Sequence, residues 1–362
     1  MFRVLAIGRR PVLTSPGRVW SSTQRAMTST QRAMNKTPSA LNTQHSQQQQ
    51  PLQPIETPKA PIWRIQSLSP LGQLPKTYSD LSKDKLTAFV VLTSMAGYAI
   101  APGATQLFTL FWTAAGTTLC ACSANSFNQW IETPYDAQMS RTRNRPLARY
   151  ALSPVHALTF GTACGVAGVT SLFVFVNPLT AGLGLANIVL YAGVYTRMKR
   201  LTIANTWVGA VVGAIPPLMG WAAATGTLSP GAWVLGAIMF AWQFPHFNSL
   251  AYTLRADYSK AGYRMMSVTR PRLNARVALR YSLLMFPLCA MLPVLGITDM
   301  LFIADSSIVN AYMAVCAYKF WKHPEPKHSR RLFFSSIAHL PVLLILIMAH
   351  KFWQDRKAQS NI

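Results

Sequence analysis

From Leu86 onward the chain alternates long apolar runs with short polar connections. Each run is near the roughly twenty residues that a helix needs to cross a bilayer's hydrocarbon core. Runs at 86–102, 105–124, 151–174, 178–196, 202–224, 229–247, 277–297, 300–321 and 332–350 predict nine membrane-spanning helices. The fold class expected is therefore all-α, a polytopic membrane helical bundle. Asp305 interrupts the eighth run, and the fifth contains Pro216 and Pro217. A membrane helix tolerates such prolines when its neighbours re-satisfy the freed backbone groups.

The pattern before residue 80 is different. Residues 1–55 hold no Asp or Glu but carry Arg3, Arg9, Arg10, Arg18, Arg25 and Arg32 amid Ser, Thr and Gln. That is the composition of a mitochondrial transit peptide, with a disordered tail lacking an address as the alternative. The hexapeptide STQRAM occurs at 22–27 and again at 29–34, a period far below that of solenoid repeats. The stretch HSQQQQPLQP reads as disordered linker. The organisation expected is a leader over 1–55, a linker over 56–79, a transmembrane domain over 80–353 that begins to fold near Tyr78, and a short tail over 354–362.

Composition supports the membrane reading. Hydrophobic residues make up 51% of the chain and charged ones 12%, against about 25% charged in soluble domains. A net charge of +24 could point to nucleic acid, but the bases lie between apolar runs rather than on one face of a soluble domain. The partner expected is the lipid bilayer, with no nucleic acid. The five cysteines (Cys120, Cys122, Cys164, Cys289 and Cys316) form no CxxC pair and read as small packing residues.

Charge also orients the bundle. The second-to-third connection holds Arg141, Arg143, Arg145 and Arg149, and the fourth-to-fifth holds Arg197, Lys199 and Arg200. Further Lys and Arg occupy the sixth-to-seventh and eighth-to-ninth connections, whereas those near 103, 175, 226 and 298 hold none. By the positive-inside rule the basic face lies inward, which for a mitochondrial inner-membrane protein is the matrix. Three bases beyond residue 350 then fall on the opposite side, a modest departure from the rule.

The ten carboxylates are scarce, and three of them, Glu132, Asp136 and Asp257, lie in the two longest basic connections. Asp257 stands beside Arg255 and could be a simple counter-charge. Asn128, Glu132 and Asp136 recur every four residues and line one face of a helix continuing from the second run. Like charges at that spacing repel, so a structural helix gains nothing from them, whereas a divalent cation would bind both. Mg²⁺ prefers oxygen ligands, commonly one or two carboxylates completed by water and substrate phosphate. Asn128 adds a carbonyl oxygen, and Arg141, Arg145, Lys199 and Arg200 can hold the remaining phosphate charge. Pro134 removes a helical hydrogen bond between the two acids and predicts a kink or an end there.

His246, next to Pro245 near the basic end of the sixth run, is an ionisable residue at membrane depth. It could act as a ligand, shuttle a proton or serve as a hydrogen-bonded structural histidine. His156 and His339 lie inside apolar runs and are expected to be packed. Gly209 and Gly213 form a GxxxG that is expected to bring two helices close.

Three stretches carry a resemblance: NSFNQWIETPYDAQMSRTRNRPL, YTRMKRLTIANTWVGAVVGAIPPLMGW and FAWQFPHFNSLAYTLRADYSKAGY. In this order, over nearly all of residues 80–350, they resemble the intramembrane prenyltransferase superfamily, and within it the haem-modifying branch. The resemblance implies Mg²⁺-dependent cleavage of farnesyl diphosphate and transfer of the farnesyl group to a vinyl of haem B, with water addition giving haem O. By position it assigns Asn128, Glu132 and Asp136 to the first metal-binding motif. In the second motif Leu254 and Tyr258 replace both end acids, leaving Asp257 as its metal candidate. Lys199 and Arg200 are expected to take part in catalysis by reaching the diphosphate, and His246, which could ligate the haem iron, is expected with Trp242 beside the haem. A haem A synthase is the implied downstream partner. Two alternatives remain: a prenyltransferase acting on a quinone-precursor ring, and a membrane transporter, which would more often show repeated halves and a polar site at the bilayer midplane.

Overall fold

The structure, a computed structural model, describes residues 71–360, so the expected leader at 1–55 and most of the linker lie outside the described residues. After a single 3₁₀ turn come α1 (Leu74–Ser82), α2 (Asp84–Ile100), α3 (Leu107–Asp136), α4 (Pro154–Phe175) and α5 (Pro178–Leu201). The chain continues through α6 (Asn205–Thr225), α7 (Pro230–Thr253), the short α8 (Arg255–Lys260) and α9 (Met266–Thr269), then α10 (Pro271–Val294), α11 (Leu301–Lys322) and α12 (Pro326–Ser360). All the regular elements among the described residues are helical.

Seven helices among the described residues are long and apolar enough to cross a membrane: α3, α4, α5, α6, α10, α11 and α12. By length and composition the expected count of nine is not confirmed. With 17 residues, α2 rises about 26 Å at 1.5 Å per residue, short of a hydrocarbon core of roughly 30 Å. The 24-residue α7 is long enough but carries Gln243, His246, Asn248 and Ser249 in its second half.

Local sequence sets the helix ends. Ser153 caps α4 by accepting from His156 N at 3.2 Å, and Asn177 caps α5 by accepting from Thr180 N at 2.8 Å. Each cap precedes a proline whose missing N–H is harmless in the first turn. Of the kink or end expected at Pro134, the helix shows an end two residues later, at Asp136. The Thr133 hydroxyl donates to Gln129 O at 2.8 Å and lies 3.1 Å from Trp130 O, the carbonyl that Pro134 leaves without its helical donor.

Two cores meet on α6. Leu218 and Trp221 pack with residues of α2, α7, α10, α11 and α12, while Ile215 and Met219 pack with residues of α3, α4 and α5. α2 and α6 approach closely, since a Cβ at Gly220 would lie 1.7 Å from Ser94 O. Large apolar side chains such as Phe111, Val166, Trp233, Ile308 and Ile345 are exposed on the outside. Buried Asn and Ser side chains sit within, the arrangement expected where the surroundings are lipid. The five cysteines are free, and four of them are buried, as small packing residues would be.

Candidate active site

The cavity that holds the candidate residues has a volume of about 630 Å³, and its lining includes Lys83, Arg141, Arg145 and Lys199 from the basic end of the bundle. Asn128, Glu132 and Asp136 line it from the last turns of α3, all three buried. Three cations meet them. Lys199 Nζ donates to Glu132 Oε1 at 2.6 Å, and Arg145 donates to Asp136 Oδ2 at 2.6 Å while lying 3.6 Å from Glu132 Oε2. Lys83 Nζ donates to Asn128 Oδ1 at 2.6 Å and to the Tyr191 hydroxyl at 3.2 Å.

The backbone explains how these groups converge. Residues Val189–Tyr195 of α5 form a π-helical stretch, wider than an α-helix and a frequent companion of functional sites. Within it and beyond, Tyr191, Tyr195 and Lys199 line the cavity, and Thr196 Oγ1 reaches back to Tyr191 O at 2.8 Å. The same hydroxyl accepts from Asn128 Nδ2 at 2.9 Å, which sets the amide so that its oxygen faces Lys83. Lys83 itself has a left-handed backbone, φ 51°, between α1 and α2. That conformation costs a side-chain-bearing residue about 1–2 kcal/mol, and the two hydrogen bonds of its amine offset it.

Burial, then the Arg145 charge, push the Lys83 amine well below the ordinary lysine value, against the pull of Glu132. Burial also opposes the Arg145 charge, but Asp136 and Glu132 outweigh it and raise that guanidinium above its usual value. The buried polar atoms of the cavity lining that lack a hydrogen-bond partner include Asp136 Oδ1 and the Tyr263 hydroxyl. Both residues line the cavity, so a polar ligand would satisfy them.

Asn128, Glu132 and Asp136 offer oxygen donors only, the set that suits Mg²⁺, and the orphaned Asp136 Oδ1 is an acceptor waiting for a cation or a donor. The residues therefore fit such an ion. Among the described residues no three His, Cys, Asp or Glu side chains gather as a metal-holding group. Asp257 does not join the other two acids; it accepts a hydrogen bond from Ser140, tying the loop after α3 to α8. The reason is local. Residues after Thr253 leave the line of α7, and it is Tyr258 that lines the cavity.

Of the expected phosphate-binding bases, Arg141, Arg145 and Lys199 line the cavity. Arg200 instead stacks over the Tyr135 ring at 4.4 Å and donates to its hydroxyl. One position on from Lys199, it is turned out of the helix face that Lys199 shares with Tyr195.

His246 lines the other part of the cavity, with Phe247 and Gln243 nearby. Trp242 does not line it; its ring lies against the imidazole at 4.7 Å and 19°, and its indole N–H donates to Ser336 O at 2.9 Å. The GxxxG glycines face side chains of neighbouring helices, in contrast to the close helix contact that their spacing predicts. A Cβ at Gly213 would lie 2.1 Å from Gln243 Oε1, and one at Gly209 2.7 Å from the Tyr195 ring. Both glycines make room for side chains that line the cavity. His339 is buried and bonded through Nε2 to Asn310 Oδ1 at 2.8 Å, as a packed histidine should be. His156 is paired with the Tyr78 hydroxyl at 2.6 Å but is exposed.

An all-helical membrane bundle with acids and bases facing one another at the mouth of an interior cavity has the architecture of an intramembrane prenyltransferase. The fold is similar to that of digeranylgeranylglyceryl phosphate synthase, with a TM-score of 0.67 at 13% identity over 76% of this chain and 98% of that one. It is also similar to a UbiA homolog from Archaeoglobus fulgidus bound to DMAPP and Mg²⁺, with a TM-score of 0.62 at 14% identity over 77% of this chain and 98% of that one. Residues 90–340 match the UbiA prenyltransferase family, and the chain belongs to it. Among curated proteins it is 51% identical over 296 residues to mitochondrial protoheme IX farnesyltransferase of Homo sapiens, covering 82% of this chain and 67% of that protein. It is 50% identical over 289 residues to the protein of the same name in Yarrowia lipolytica, covering 76% of this chain and 61% of that one. The chain thus spans about two thirds of the length of these relatives.

Proposed function

We propose that this prenyltransferase transfers the farnesyl group of farnesyl diphosphate to a vinyl group of haem B, giving haem O. The observation that carries the chemistry is the charged end of the cavity, where Lys83, Arg145 and Lys199 outnumber Glu132 and Asp136 and where Asp136 Oδ1 lacks a partner. Such a site accepts an anion together with a cation. The names of the relatives carry the choice of haem over a quinone-precursor ring.

In this reading the diphosphate lies at the charged end, held by Lys83, Arg145 and Lys199 with Arg141 at the rim. Mg²⁺ bound through oxygens of Asn128, Glu132 and Asp136 would stabilise the charge of the leaving diphosphate. Breakage of the allylic carbon–oxygen bond sends the electron pair to the diphosphate, and the fixed lysine and arginine charges meet it without reorganisation. The vinyl carbon attacks the allylic carbon. Water then captures the new cation on the haem side chain and loses a proton, leaving a hydroxyethylfarnesyl group. The apolar body of the cavity keeps water from the allylic cation until that bond has formed.

The mitochondrial names of the relatives and the membrane-length helices are consistent with an organelle membrane. We place the chain in the inner membrane with the charged end facing the matrix, targeted by residues 1–55, and supplying a haem A synthase. Membranes containing the protein, incubated with haem B, farnesyl diphosphate and Mg²⁺ and separated by reverse-phase chromatography with mass detection, should yield a magnesium-dependent haem of hydroxyethylfarnesyl mass. Prenylation of a quinone-precursor ring instead would refute the haem assignment.

A further inference from the structure

The imidazole of His246 is held by a short relay that fixes its proton. His246 Nδ1 lies 3.0 Å from Ser336 Oγ, and that hydroxyl lies 2.7 Å from Phe333 O. A carbonyl oxygen can only accept, so the single hydroxyl proton of Ser336 is directed to Phe333 O. The Ser336 oxygen then accepts, and the proton between it and His246 belongs to Nδ1. A neutral imidazole with its proton on Nδ1 has a bare lone pair on Nε2.

Nothing among the described residues hydrogen-bonds to Nε2, although His246 lines the cavity. The ring is fixed in orientation by its neighbours: Trp242 stacks against it, and the Phe333 ring lies 4.9 Å away. Trp242 is itself tied to the backbone of Ser336 at 2.9 Å. Ser336 thus sets the imidazole twice, by its hydroxyl through Nδ1 and by its carbonyl through the indole. His339 offers an instructive contrast one turn further along α12. Its Nε2 is taken by Asn310 and its Nδ1 is buried without a partner, so it presents no donor atom to a cavity.

A histidine whose Nδ1–H is held by a hydrogen-bond acceptor and whose Nε2 is bare has the arrangement of a metal-ligating imidazole with its orienting partner. We propose that His246 Nε2 is an axial ligand to the iron of the haem substrate, and that Ser336 is the positioning residue that fixes the required tautomer. This rests on the haem reading above. The coordination places one face of the porphyrin against α7 and α12, and it is a binding role: no electron or group is transferred at iron.

The test uses the full-length protein in nanodiscs with ferric haem B. In protein carrying ¹⁵N-labelled histidine, pulsed electron paramagnetic resonance should detect a coupled histidine nitrogen on the iron, and the Soret band should shift on binding. His246→Gly should lose that coupling and regain the spectrum with added imidazole. Ser336→Ala should keep bound haem but weaken its binding about tenfold to a hundredfold and alter the ligand-field spectrum, with Ser336→Thr restoring both. A merely structural serine would change the yield of folded protein and leave the spectrum of bound haem alone. Absence of a histidine nitrogen on the iron in the unsubstituted protein, while haem binds and is prenylated, overturns the proposal and leaves the haem reading intact. A Ser336→Ala spectrum and affinity equal to wild type removes the role of Ser336. Failure of the unsubstituted protein to bind or prenylate haem at all overturns the haem reading, and this proposal with it.

Discussion

Carboxylates gather at both ends of this bundle, and the two gatherings are built for different ends. At the basic end Glu132 and Asp136 are buried, face Lys83, Arg145 and Lys199 across a cavity, and leave one Asp136 oxygen without a partner. At the far end His350 stands between two acids. Its Nδ1 lies 2.7 Å from Asp299 Oδ1 and its Nε2 3.0 Å from Asp305 Oδ2. Both ring nitrogens are used, and the cluster ties α12 to α11 and to the turn before it. The first arrangement has excess cations and an idle acceptor, so it is incomplete without a ligand. The second is complete, and it explains how α11 tolerates Asp305 inside an apolar run.

The sharpest way to break this comparison is to remove the idle acceptor. Asp136→Ala should lower farnesyl transfer by 100-fold or more, the scale of losing one preorganised electrostatic group, while the protein stays monodisperse by size-exclusion chromatography. Substantial retained turnover would remove Asp136 from the site. A smaller effect should come from Lys83→Met, which deletes a charged hydrogen-bonding group worth about 1.5–3 kcal/mol. The KM for the diphosphate substrate should rise about tenfold or more. Because burial holds the Lys83 amine well below its ordinary pKa, its charge is lost as pH rises through that lowered value. Diphosphate affinity should therefore fall on the alkaline side at a lower pH than an ordinary lysine allows. Lys83→Arg, always charged, should move that fall upward; an unchanged profile would place the titration elsewhere.

The smallest effect belongs to the far end, where stability rather than chemistry should respond. His350→Ala should lower the thermal midpoint by a few degrees and leave the KM for diphosphate unchanged. Burial alone would raise the Asp299 carboxyl, but the hydrogen bond and charge of His350 bring it below its ordinary value. An acid depressed in the folded state contributes stability above its unfolded pKa, about 3.9, and loses it as pH falls through the lower folded value. Wild type should therefore show an extra loss of thermal stability in that acidic window. In Asp299→Asn that extra loss should vanish; its persistence would assign it to another group.

Much of the site is legible in the chain. The four-residue spacing of Asn128, Glu132 and Asp136 survives into the structure as one buried helix face, because the helix continues through Pro134 to Asp136. Arg141, Arg145 and Lys199 could be selected because bases near acids in an apolar protein are rare. Lys83 could not. It sits outside every motif and reaches Asn128, 45 residues away, only because a left-handed residue joins α1 to α2. Tyr191 and Tyr195 read as part of an apolar run, and a π-helical stretch brings them to the cavity with Lys199.

The sequence by itself determined that the chain is a helical membrane protein, which end is basic and which acids share a face. These depend on periodicity and on charge counted along the chain, both local quantities. Only the tertiary structure decided that Asp257 and Arg200 turn away, that Gly209 and Gly213 make space rather than contact, and that Ser336 on α12 holds His246 on α7. Those outcomes depend on which helices lie side by side and on the rotation of each about its axis, and no local pattern carries that information.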